Sequence, residues 1–409
     1  MTTAIRYCVR CTHPNTRPRI TFTPDGVCNG CVRTEEKRLI DWKAKEQELR
    51  DLVADALRRS PDREYDCVVP VSGGKDSHYQ TWYAVSTLGL RPLCVNIQPF
   101  LPTEIGARNL RNIVERLDVD LLSVFPRQSV LSRLVKHFFV MHGDPYPPIL
   151  YLLFSHIARI ALQKRIPVIL YGENGDREYG GSNDAEFTEL DNQGVHGRIR
   201  TGHVSFLLPR EWTSLGPAPE DVAIYQEPRD DEMRAGGVQR LFFSDYVPWN
   251  NNHHLYVALN VIGGFSLRDQ RSTGTFTFGS NTDDDLYEIY IWLLWPKFGF
   301  CRATKHTSKD IQEGKITRPR AVEPVRKYDG EFPWHALDRF CQKAGIKEHE
   351  FWTSVAGFVG DEENLARIPP HKGWPNHVPA WRRLSANRWQ HTGTIHGEER
   401  ILELPPRQP

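Results

Sequence analysis

Short apolar runs alternate with longer amphipathic stretches along the first half of this chain. The apolar runs are of strand length and predict strands buried on both faces at residues 67–71, 92–97, 119–125 and 167–171. Helical spacing of apolar residues predicts helices between them at residues 78–88, 104–117, 127–141 and 150–164. Strands that alternate with helices predict an α/β fold whose parallel sheet is covered by helices on both faces.

The pattern changes outside this alternation and suggests domain boundaries. A charged stretch with an interrupted apolar stripe predicts a connecting helix over residues 34–60. Residues 61–330 are predicted to form the main domain, within which residues 182–270 lose their periodicity and are interpreted as an insertion or lid. Residues 331–409 are predicted to be a helical C-terminal region that ends in a tail.

Composition and charge exclude several classes of protein. Of the 409 residues 39% are apolar and 25% are charged, which is typical of a globular protein. The formal net charge of +1 provides no overall attraction to nucleic acid or to a membrane surface, so a nucleic-acid partner is not expected. No signal-peptide core and no apolar stretch of membrane-spanning length is found, so we expect a cytoplasmic protein without a membrane partner.

The loop that follows the first strand has the features of a phosphate site. Two glycines in a strand–loop–helix unit let backbone N–H groups converge on an oxyanion, and the helix N-terminus adds positive charge. The side chains add two hydroxyl donors, a lysine and a carboxylate that can hold Mg²⁺. The predicted site consists of Ser72, Gly73, Gly74, Lys75, Asp76 and Ser77.

Two later segments supply further candidates for this site. The predicted fourth strand ends in Gly172, Glu173 and Asn174, at the same edge of the sheet as the loop. An acidic loop after a strand is often only a solvated turn, but this position favours a site. Arg302 and Lys305 follow a glycine-containing turn and are candidates to neutralise phosphate charge. A run of aspartates at 283–285 has the simpler interpretation of favourable charge at a helix start.

Four cysteines near the N-terminus have the spacing of a zinc ribbon. Cys8 and Cys11 form one CxxC pair, and Cys28 and Cys31 form the second. The segment between the pairs has little apolar mass, so a structural zinc ion is predicted to supply the folding energy of residues 1–33. An iron–sulfur cluster and free thiols are the alternatives.

The loop sequence VSGGKDS resembles the PP-loop of the ATP pyrophosphatase superfamily. A narrower resemblance rests on the opening CVRCTHPNTRPRITFTPDGVCNGC, the stretch TEIGARNLRN, the strand end YGENGDREYGG, and the later KFGFCRAT, ITRPRAV, KYDGEFP and HEFW. On these motifs the chain resembles the N-acetyl sugar amidotransferases of bacterial surface-polysaccharide biosynthesis, which include lipopolysaccharide enzymes of the WbpG and PseA type. It departs from them at Cys301, where the family usually has glycine, and at Lys305 and His306, where acidic residues are common.

The resemblance implies an ATP-dependent, AMP-forming enzyme with ATP, Mg²⁺ and Zn²⁺ as its cofactors. It implies ATP on Ser72–Ser77 with further contacts at Gly172, Asn174 and Lys305. Asp76, Lys75, Glu173 and Arg302 are the expected catalytic residues, with Mg²⁺ on Asp76 and Glu173 as candidate base. The implied substrate is a nucleotide-linked N-acetyl sugar whose carbonyl oxygen is adenylated and replaced by ammonia. The implied partners are a glutaminase subunit and an ammonia-channelling barrel subunit like those of histidine biosynthesis.

Two other functions compete with this interpretation. A zinc-ribbon PP-loop enzyme can instead thiolate tRNA, which requires a persulfide-carrying cysteine or a cluster and a basic surface. A zinc-ribbon interaction module on an inactive nucleotide fold is the second alternative, and the intact SGGKDS sequence argues against it.

Overall fold

The computed structural model describes residues 4–175, 178, 209–365 and 378–405. Its core is a five-stranded sheet in the order β3-β2-β1-β4-β5, and every neighbouring pair is parallel. The strands are β1 (Cys67–Pro70), β2 (Pro92–Ile97), β3 (Asp120–Val124), β4 (Val168–Tyr171) and β5 (Gln239–Phe242). Chain order runs outward from β1 in both directions, so the crevice at the carboxyl end of β1 is the topological switch point where such sheets bind ligands.

Helices cover both faces of this sheet and continue beyond it. In chain order they are α1 (Asn29–Arg38), α2 (Trp42–Arg59), α3 (Lys75–Trp82), α4 (Glu104–Leu117), α5 (Gln128–His142), α6 (Pro147–Gln163), α7 (Pro219–Ala223), α8 (Asp230–Ala235), α9 (Asn251–Tyr256), α10 (Leu286–Trp292), α11 (Leu294–Phe298), α12 (Arg302–Gln312), α13 (Arg318–Tyr328), α14 (Trp334–Ala344), α15 (Glu348–Gly357) and α16 (Glu362–Leu365). Single π-helical turns extend α3 over Tyr83–Thr87 and α9 over Val257–Ile262. None of the described helices is both long and apolar enough to cross a lipid bilayer.

The alternating packing of β1 explains why its sequence is apolar throughout. Val68 is fully buried in the cluster on one face of the sheet, with Leu93 and Ile169 of the neighbouring strands. Cys67 and Val69 are fully buried in a second cluster on the opposite face. A strand with both faces covered needs apolar side chains at every position. The predicted fold class is confirmed.

The predicted connecting helix is broken into two helices. Asp41 accepts hydrogen bonds from the backbone N–H groups of Lys43 and Ala44, both at 3.1 Å, and so starts a new helix, α2. Thr34, at the predicted helix start, instead lies inside α1 and donates to the carbonyl of Gly30 at 2.9 Å. The charged residues around the break gave no sequence signal of their own.

The interpretation of residues 182–270 as an insertion or lid is corrected for its described part. Residues 182–208 lie outside the described residues, but β5 is the edge strand of the main sheet, paired along β4 from Val168↔Gln239 to Tyr171↔Phe242. The helix α9 then packs against α3. β5 was missed because its four residues, two polar followed by two apolar, are too few to show the period of a strand.

The predicted helical C-terminal region is confirmed by α14 and α15, but the tail also contains a sheet. Three antiparallel strands, β6 (Trp381–Ser385), β7 (Arg388–His391) and β8 (Ile401–Glu403), follow the helices. The indole of Trp381 is fully buried and donates to the carbonyl of Trp295 at 3.1 Å. This sheet therefore docks onto α11 rather than extending as a tail.

Candidate active site

The loop between β1 and α3 is shaped by its own serines and by one obligatory glycine. Gly73 has φ +91°, and a Cβ there would lie 2.4 Å from the carbonyl oxygen of Gly106 on α4. The backbone N–H of Ser72 donates to the Ser77 hydroxyl at 2.9 Å, and that of Gly74 donates to the Ser72 hydroxyl at 3.4 Å. The loop therefore closes over the first turn of α3, as an anion site requires.

Asp76 is held by contacts from two directions. Lys75 Nζ lies 2.7 Å from Asp76 Oδ2, and His254 Nδ1 lies 2.6 Å from Asp76 Oδ1. His254 is fully buried on α9, where it stacks on the ring of Tyr79 at 4.0 Å and meets the edge of Trp249 at 4.4 Å. The Asp76 side chain keeps 34% of its surface exposed, so a ligand can still reach it.

The hydrogen bonds of His254 assign its tautomer. The backbone N–H of Asn250 donates to His254 Nε2 at 3.4 Å, so the ring proton lies on Nδ1 and is donated to Asp76. Burial lowers the pKa of His254, which favours this neutral form. Burial raises the pKa of Asp76, but the charge of Lys75 and the hydrogen bond from His254 outweigh it, so the net pKa lies below its ordinary value. Asp76 is therefore an anion at neutral pH.

Glu173 follows β4, the neighbour of β1, and lies within electrostatic range of Asp76 at the crevice described above, which we call the cleft. Burial by surrounding groups, and next the charge of Asp76, raise its pKa to about 7. The residue keeps an exposed surface, so these surrounding groups crowd the carboxyl group without closing it off from solvent. A carboxyl group with this pKa is half protonated at neutral pH and can accept or donate a proton there.

Asp283 brings the segment before α10 against the loop. A Cβ on Gly74 would lie 4.0 Å from Asp283 Oδ1, so this carboxylate lies next to the loop. Burial raises the pKa of the Asp283 carboxyl group, and the nearby Ser72 hydroxyl partly opposes this effect. A Cβ on Gly106 of α4 would lie 2.5 Å from the Cα of Asp283, so the same segment also packs against α4. The aspartate run therefore does more than favour a helix start, because its first member lines the phosphate loop.

Of the two predicted phosphate-binding cations, Lys305 is the more accessible and lies within electrostatic range of Glu173. Lys305 is half-buried, and burial followed by the charge of Arg17 lowers its pKa to about 8. Arg302 is only 2% exposed and its NH1 atom lies 3.4 Å from Glu288. Arg302 is therefore committed to a buried ion pair, an arrangement that does not support the predicted direct contact with phosphate.

The other residues predicted after β4 have structural contacts. A Cβ on Gly172 would lie 3.2 Å from both the Gln80 side chain and the Trp249 ring, so this position has little room for a side chain. Asn174 is fully buried and its backbone N–H donates to the Ser244 hydroxyl at 2.8 Å. Both residues therefore fix the start of the loop that carries Glu173.

The four N-terminal cysteines converge as predicted. Their sulfur atoms all lie within 4.8 Å of one another, and all four residues are buried. Backbone N–H groups of Arg10, Cys11 and Cys28 donate to the sulfur of Cys8 at 3.3–3.4 Å, which is the environment of a thiolate. Four thiolates around one point fit a tetrahedral zinc ion and leave no open coordination position.

The ribbon packs directly on the helix that carries Lys305. The Thr12 hydroxyl accepts or donates hydrogen bonds with Thr307 at 2.8 Å and Ser308 at 2.9 Å on α12. Glu178, 4% exposed, pairs with Lys37 of α1 and with Lys309 of α12, the latter at 3.1 Å. The ribbon therefore helps to hold α12 against the cleft.

Sequence reasoning missed His254 and the contact of Asp283 with the loop. His254 lies in the run Asn251–His254 with no catalytic spacing around it, and only the packing of α9 on α3 brings it to Asp76. Asp283 had a sequence signal, the aspartate run, but its role at a helix start was the simpler interpretation.

Residues 273–387 match the family described as "LPS biosynthesis protein WbpG-like, C-terminal domain". This part of the chain is therefore similar to the C-terminal domain of WbpG-like proteins and is called the WbpG-like domain below. The WbpG-like domain contributes Asp283, Arg302 and Lys305 to the region around the cleft, and its match confirms the resemblance drawn from the sequence motifs. No curated protein matches the chain significantly.

Two solved structures show a distant similarity to the chain. The NMN synthetase from Francisella tularensis is 13% identical, with a TM-score of 0.35, over 75% of this chain and 98% of that chain. The NH3-dependent NAD synthetase from Campylobacter jejuni subsp. jejuni NCTC 11168 is 13% identical, with a TM-score of 0.26, over 48% of this chain and 95% of that chain. With TM-scores below 0.5, neither structure assigns a role to a residue of this chain.

Proposed function

We propose that this chain is an ATP-dependent, AMP-forming amidotransferase that converts the N-acetyl group of a nucleotide-linked sugar into an acetamidino group. The observation that carries the proposal is the SGGKDS loop, in which Asp76 is held as an anion opposite Glu173. The WbpG-like domain supports a sugar of bacterial surface polysaccharide, since the family description names lipopolysaccharide biosynthesis. The cytoplasm is the compartment that supplies ATP and keeps thiols reduced.

The phosphates of ATP bind on the loop. The backbone N–H groups of Lys75, Asp76 and Ser77 at the N-terminus of α3 would bind the β- and γ-phosphates, and Lys75 adds a full positive charge. Asp76 would hold Mg²⁺, which neutralises phosphate charge and makes pyrophosphate a better leaving group. Lys305 approaches from α12 and stabilises charge on the α-phosphate.

Two substitutions then replace the acetamide oxygen by nitrogen. The acetamide oxygen bonds to the α-phosphorus, and the bond from that phosphorus to its bridging oxygen breaks, which releases pyrophosphate. Ammonia adds to the carbon of the resulting O-adenylyl imidate and loses one proton to a base. AMP then leaves with the electrons of the carbon–oxygen bond, and the product is an amidine. The adenylate is needed because an amide oxygen is otherwise a poor leaving group.

Glu173 is the base in this scheme. Its pKa of about 7 lets it exist as a carboxylate in an appreciable fraction of molecules at neutral pH and still hold the proton it accepts. Glu173 follows β4, the neighbour of β1, and this position supports a role for it beside the loop that would bind ATP.

The zinc ion of the ribbon has a structural role in this proposal. The four sulfur atoms supply the full tetrahedral set, so the metal stabilises residues 4–38 and, through Thr12, the helix α12. Elemental analysis is expected to return about one zinc per chain. Stoichiometric iron with visible absorbance would instead support a cluster.

Ammonia is supplied by separate proteins, which we propose are a glutaminase and an ammonia-channelling barrel subunit. All eight cysteines of the chain are described and buried. Outside the ribbon, burial raises the pKa of the Cys94 and Cys301 thiols to about 12 and that of Cys341 to about 11. Thiols of this kind are poor nucleophiles, so glutamine hydrolysis within this chain is not favoured. The same observation weighs against tRNA thiolation, which needs a reactive cysteine.

The experiment that tests the proposed function identifies the nucleotide product. The purified chain is incubated with ATP, Mg²⁺, high ammonium chloride and a panel of UDP-N-acetyl sugars, and AMP, ADP and the sugar are followed by chromatography and mass spectrometry. We expect AMP and pyrophosphate in amounts that depend on the sugar, and replacement of one oxygen of the sugar by NH. Release of ADP, or efficient turnover with glutamine in place of ammonium, would contradict the proposal.

A further inference from the structure

Three tyrosines form a compact cluster beside the cleft. Tyr287 and Tyr290 lie three residues apart on α10, and Tyr146 immediately precedes α6. The ring of Tyr146 stacks on that of Tyr290 at 5.0 Å with an interplanar angle of 24°, and it meets the edge of Tyr287 at 5.6 Å. The rings of Tyr287 and Tyr290 are 5.5 Å apart. We call these three residues the tyrosine cluster.

The tyrosine cluster lies on a surface that solvent can partly reach. Each of its members is only partly buried, although burial is the largest cause of the raised pKa of each phenol. Within the part of the chain that the structure describes, none of the three hydroxyl groups has a hydrogen-bond partner. A core tyrosine normally finds such a partner, so these hydroxyl groups are available to a ligand.

The position of the cluster connects it to the proposed reaction centre. Tyr287 lies within electrostatic reach of Arg302, Glu173 and Asp283, and also of Asp76. Asp283 touches the phosphate loop, one turn before Tyr287 in the chain. The cluster therefore begins at Tyr287, within electrostatic range of the candidate base, and continues along α10 to Tyr290 and across to Tyr146 at the start of α6.

We propose that Tyr146, Tyr287 and Tyr290 form the wall on which the sugar ring of the N-acetyl acceptor packs. This inference rests on the proposed function and adds a specificity-determining subsite to it. The C–H groups on one face of a pyranose ring are apolar and fit a tyrosine ring, while the phenol hydroxyl groups can bond the hydroxyl groups at the sugar's edge.

The distances that the reaction requires favour the acceptor sugar, rather than the adenine of ATP, as the ring that packs on the tyrosine cluster. The acceptor carbonyl must reach both the α-phosphorus and the group that deprotonates ammonia, so its ring must lie close to Glu173. Tyr287 is close enough to Glu173 for the two groups to influence each other electrostatically. A ring that packs on the tyrosine cluster satisfies this constraint, whereas the base of ATP is separated from the α-phosphate by the whole ribose.

The test compares three substitutions at one position. Tyr290→Ala removes the ring, Tyr290→Leu keeps most of the volume without an aromatic face, and Tyr290→Phe keeps the face. We expect the KM for the acceptor sugar to rise by about tenfold in the alanine and leucine variants, while the KM for ATP stays within about twofold. Tyr290→Phe is expected to change the acceptor KM by no more than about threefold. Phe125→Ala, which removes an exposed ring outside the cluster, is the matched control.

A binding measurement separates failure of this inference from failure of the proposed function. Saturation-transfer NMR with UDP-N-acetylglucosamine is expected to show transfer to the sugar-ring protons in the wild type and its loss in Tyr290→Ala, at unchanged Tm. This readout does not require turnover. Equal transfer in both proteins, no transfer in the wild type, or a rise in the KM for ATP alone would overturn the inference. A wild type that binds the sugar through Tyr290 but forms no AMP would overturn only the proposed function.

Discussion

Two clusters of charged side chains lie a short distance apart in this molecule and are built in opposite ways. Around Glu288 the charges are matched, because this carboxylate lies 3.4 Å from Arg302, 3.2 Å from His335 and 4.0 Å from Arg268. Glu288 is also only 2% exposed. Around Asp76 the charges are unmatched, since the cleft also holds the carboxyl groups of Glu173 and Asp283.

The pKa values show what the difference means physically. Burial raises the pKa of Glu288, but its pairing with His335 and the charge of Arg302 bring this pKa below its ordinary value. Glu173 experiences burial and the like charge of Asp76, and its pKa rises to about 7. We call the paired charges around Glu288 the closed cluster, and these stabilise the WbpG-like domain. We call the charges around Asp76 the open cluster, which carries carboxyl groups whose charge a bound ligand can still change.

The largest expected effect is the loss of enzyme activity when Asp76 of the open cluster is substituted. Asp76→Asn keeps the side-chain shape and an oxygen that can accept the hydrogen bond from His254. It removes the negative charge that would hold Mg²⁺. We expect pyrophosphate release to fall by at least about a hundredfold, with a Tm close to that of the wild type. Asp62→Asn, which neutralises an exposed carboxylate before β1, is the control for loss of charge. Turnover at the wild-type rate in Asp76→Asn would remove this residue from the site.

The next effect is on stability in the closed cluster. Glu288→Gln leaves the buried guanidinium of Arg302 without its counter-ion, so the free energy of unfolding is expected to fall by about 3–5 kcal/mol. Urea unfolding of this variant and of Glu323→Gln, which alters an exposed carboxylate on α13, measures the difference. An unchanged midpoint would show that the cluster around Glu288 is not the stabilising one.

A third test uses pH to identify the base. If Glu173 must be a carboxylate to accept a proton, kcat should rise about tenfold per pH unit below pH 7 and level off above it. In Glu173→Gln this rise should disappear, and the residual rate should be low at every pH. A profile that keeps its inflection in the variant would assign the base to another group.

The smallest expected effect is a change in Tm at pH 8 whose sign differs between the two clusters. The pKa of Glu173 is raised on folding, so its charge opposes folding, and that cost appears as pH rises from its unfolded pKa near 4.5 through about 7. Glu173→Gln should therefore raise Tm slightly at pH 8 and leave it unchanged at pH 4. Glu288→Gln should lower Tm at pH 8. Thermal unfolding of both variants at the two pH values tests the comparison, and equal signs would refute it.

Local patterns in the sequence determined much of this structure. The apolar run of β1, the glycine at position 73 and the helix start at Lys75 follow one another along the chain, so the loop could be predicted without tertiary information. The CxxC pairs likewise predicted a metal centre, because each pair brings two sulfur atoms together within one turn. In both cases the residues that form the feature are neighbours in the chain or lie in two short segments.

Tertiary structure alone decided which distant residues meet the loop. His254 reaches Asp76 from 178 residues away because α9 packs on α3, and Glu288 takes Arg302 out of the cleft because α10 lies against α12. Tyr146 meets Tyr290 only because the start of α6 lies beside α10. Such contacts cannot be predicted from side-chain identity and spacing, because the contacts depend on how the helices cross once the sheet has formed. The chain's sequence thus determined the phosphate loop and the cysteine centre, and the packing of α9, α10 and α12 decided the rest of the site.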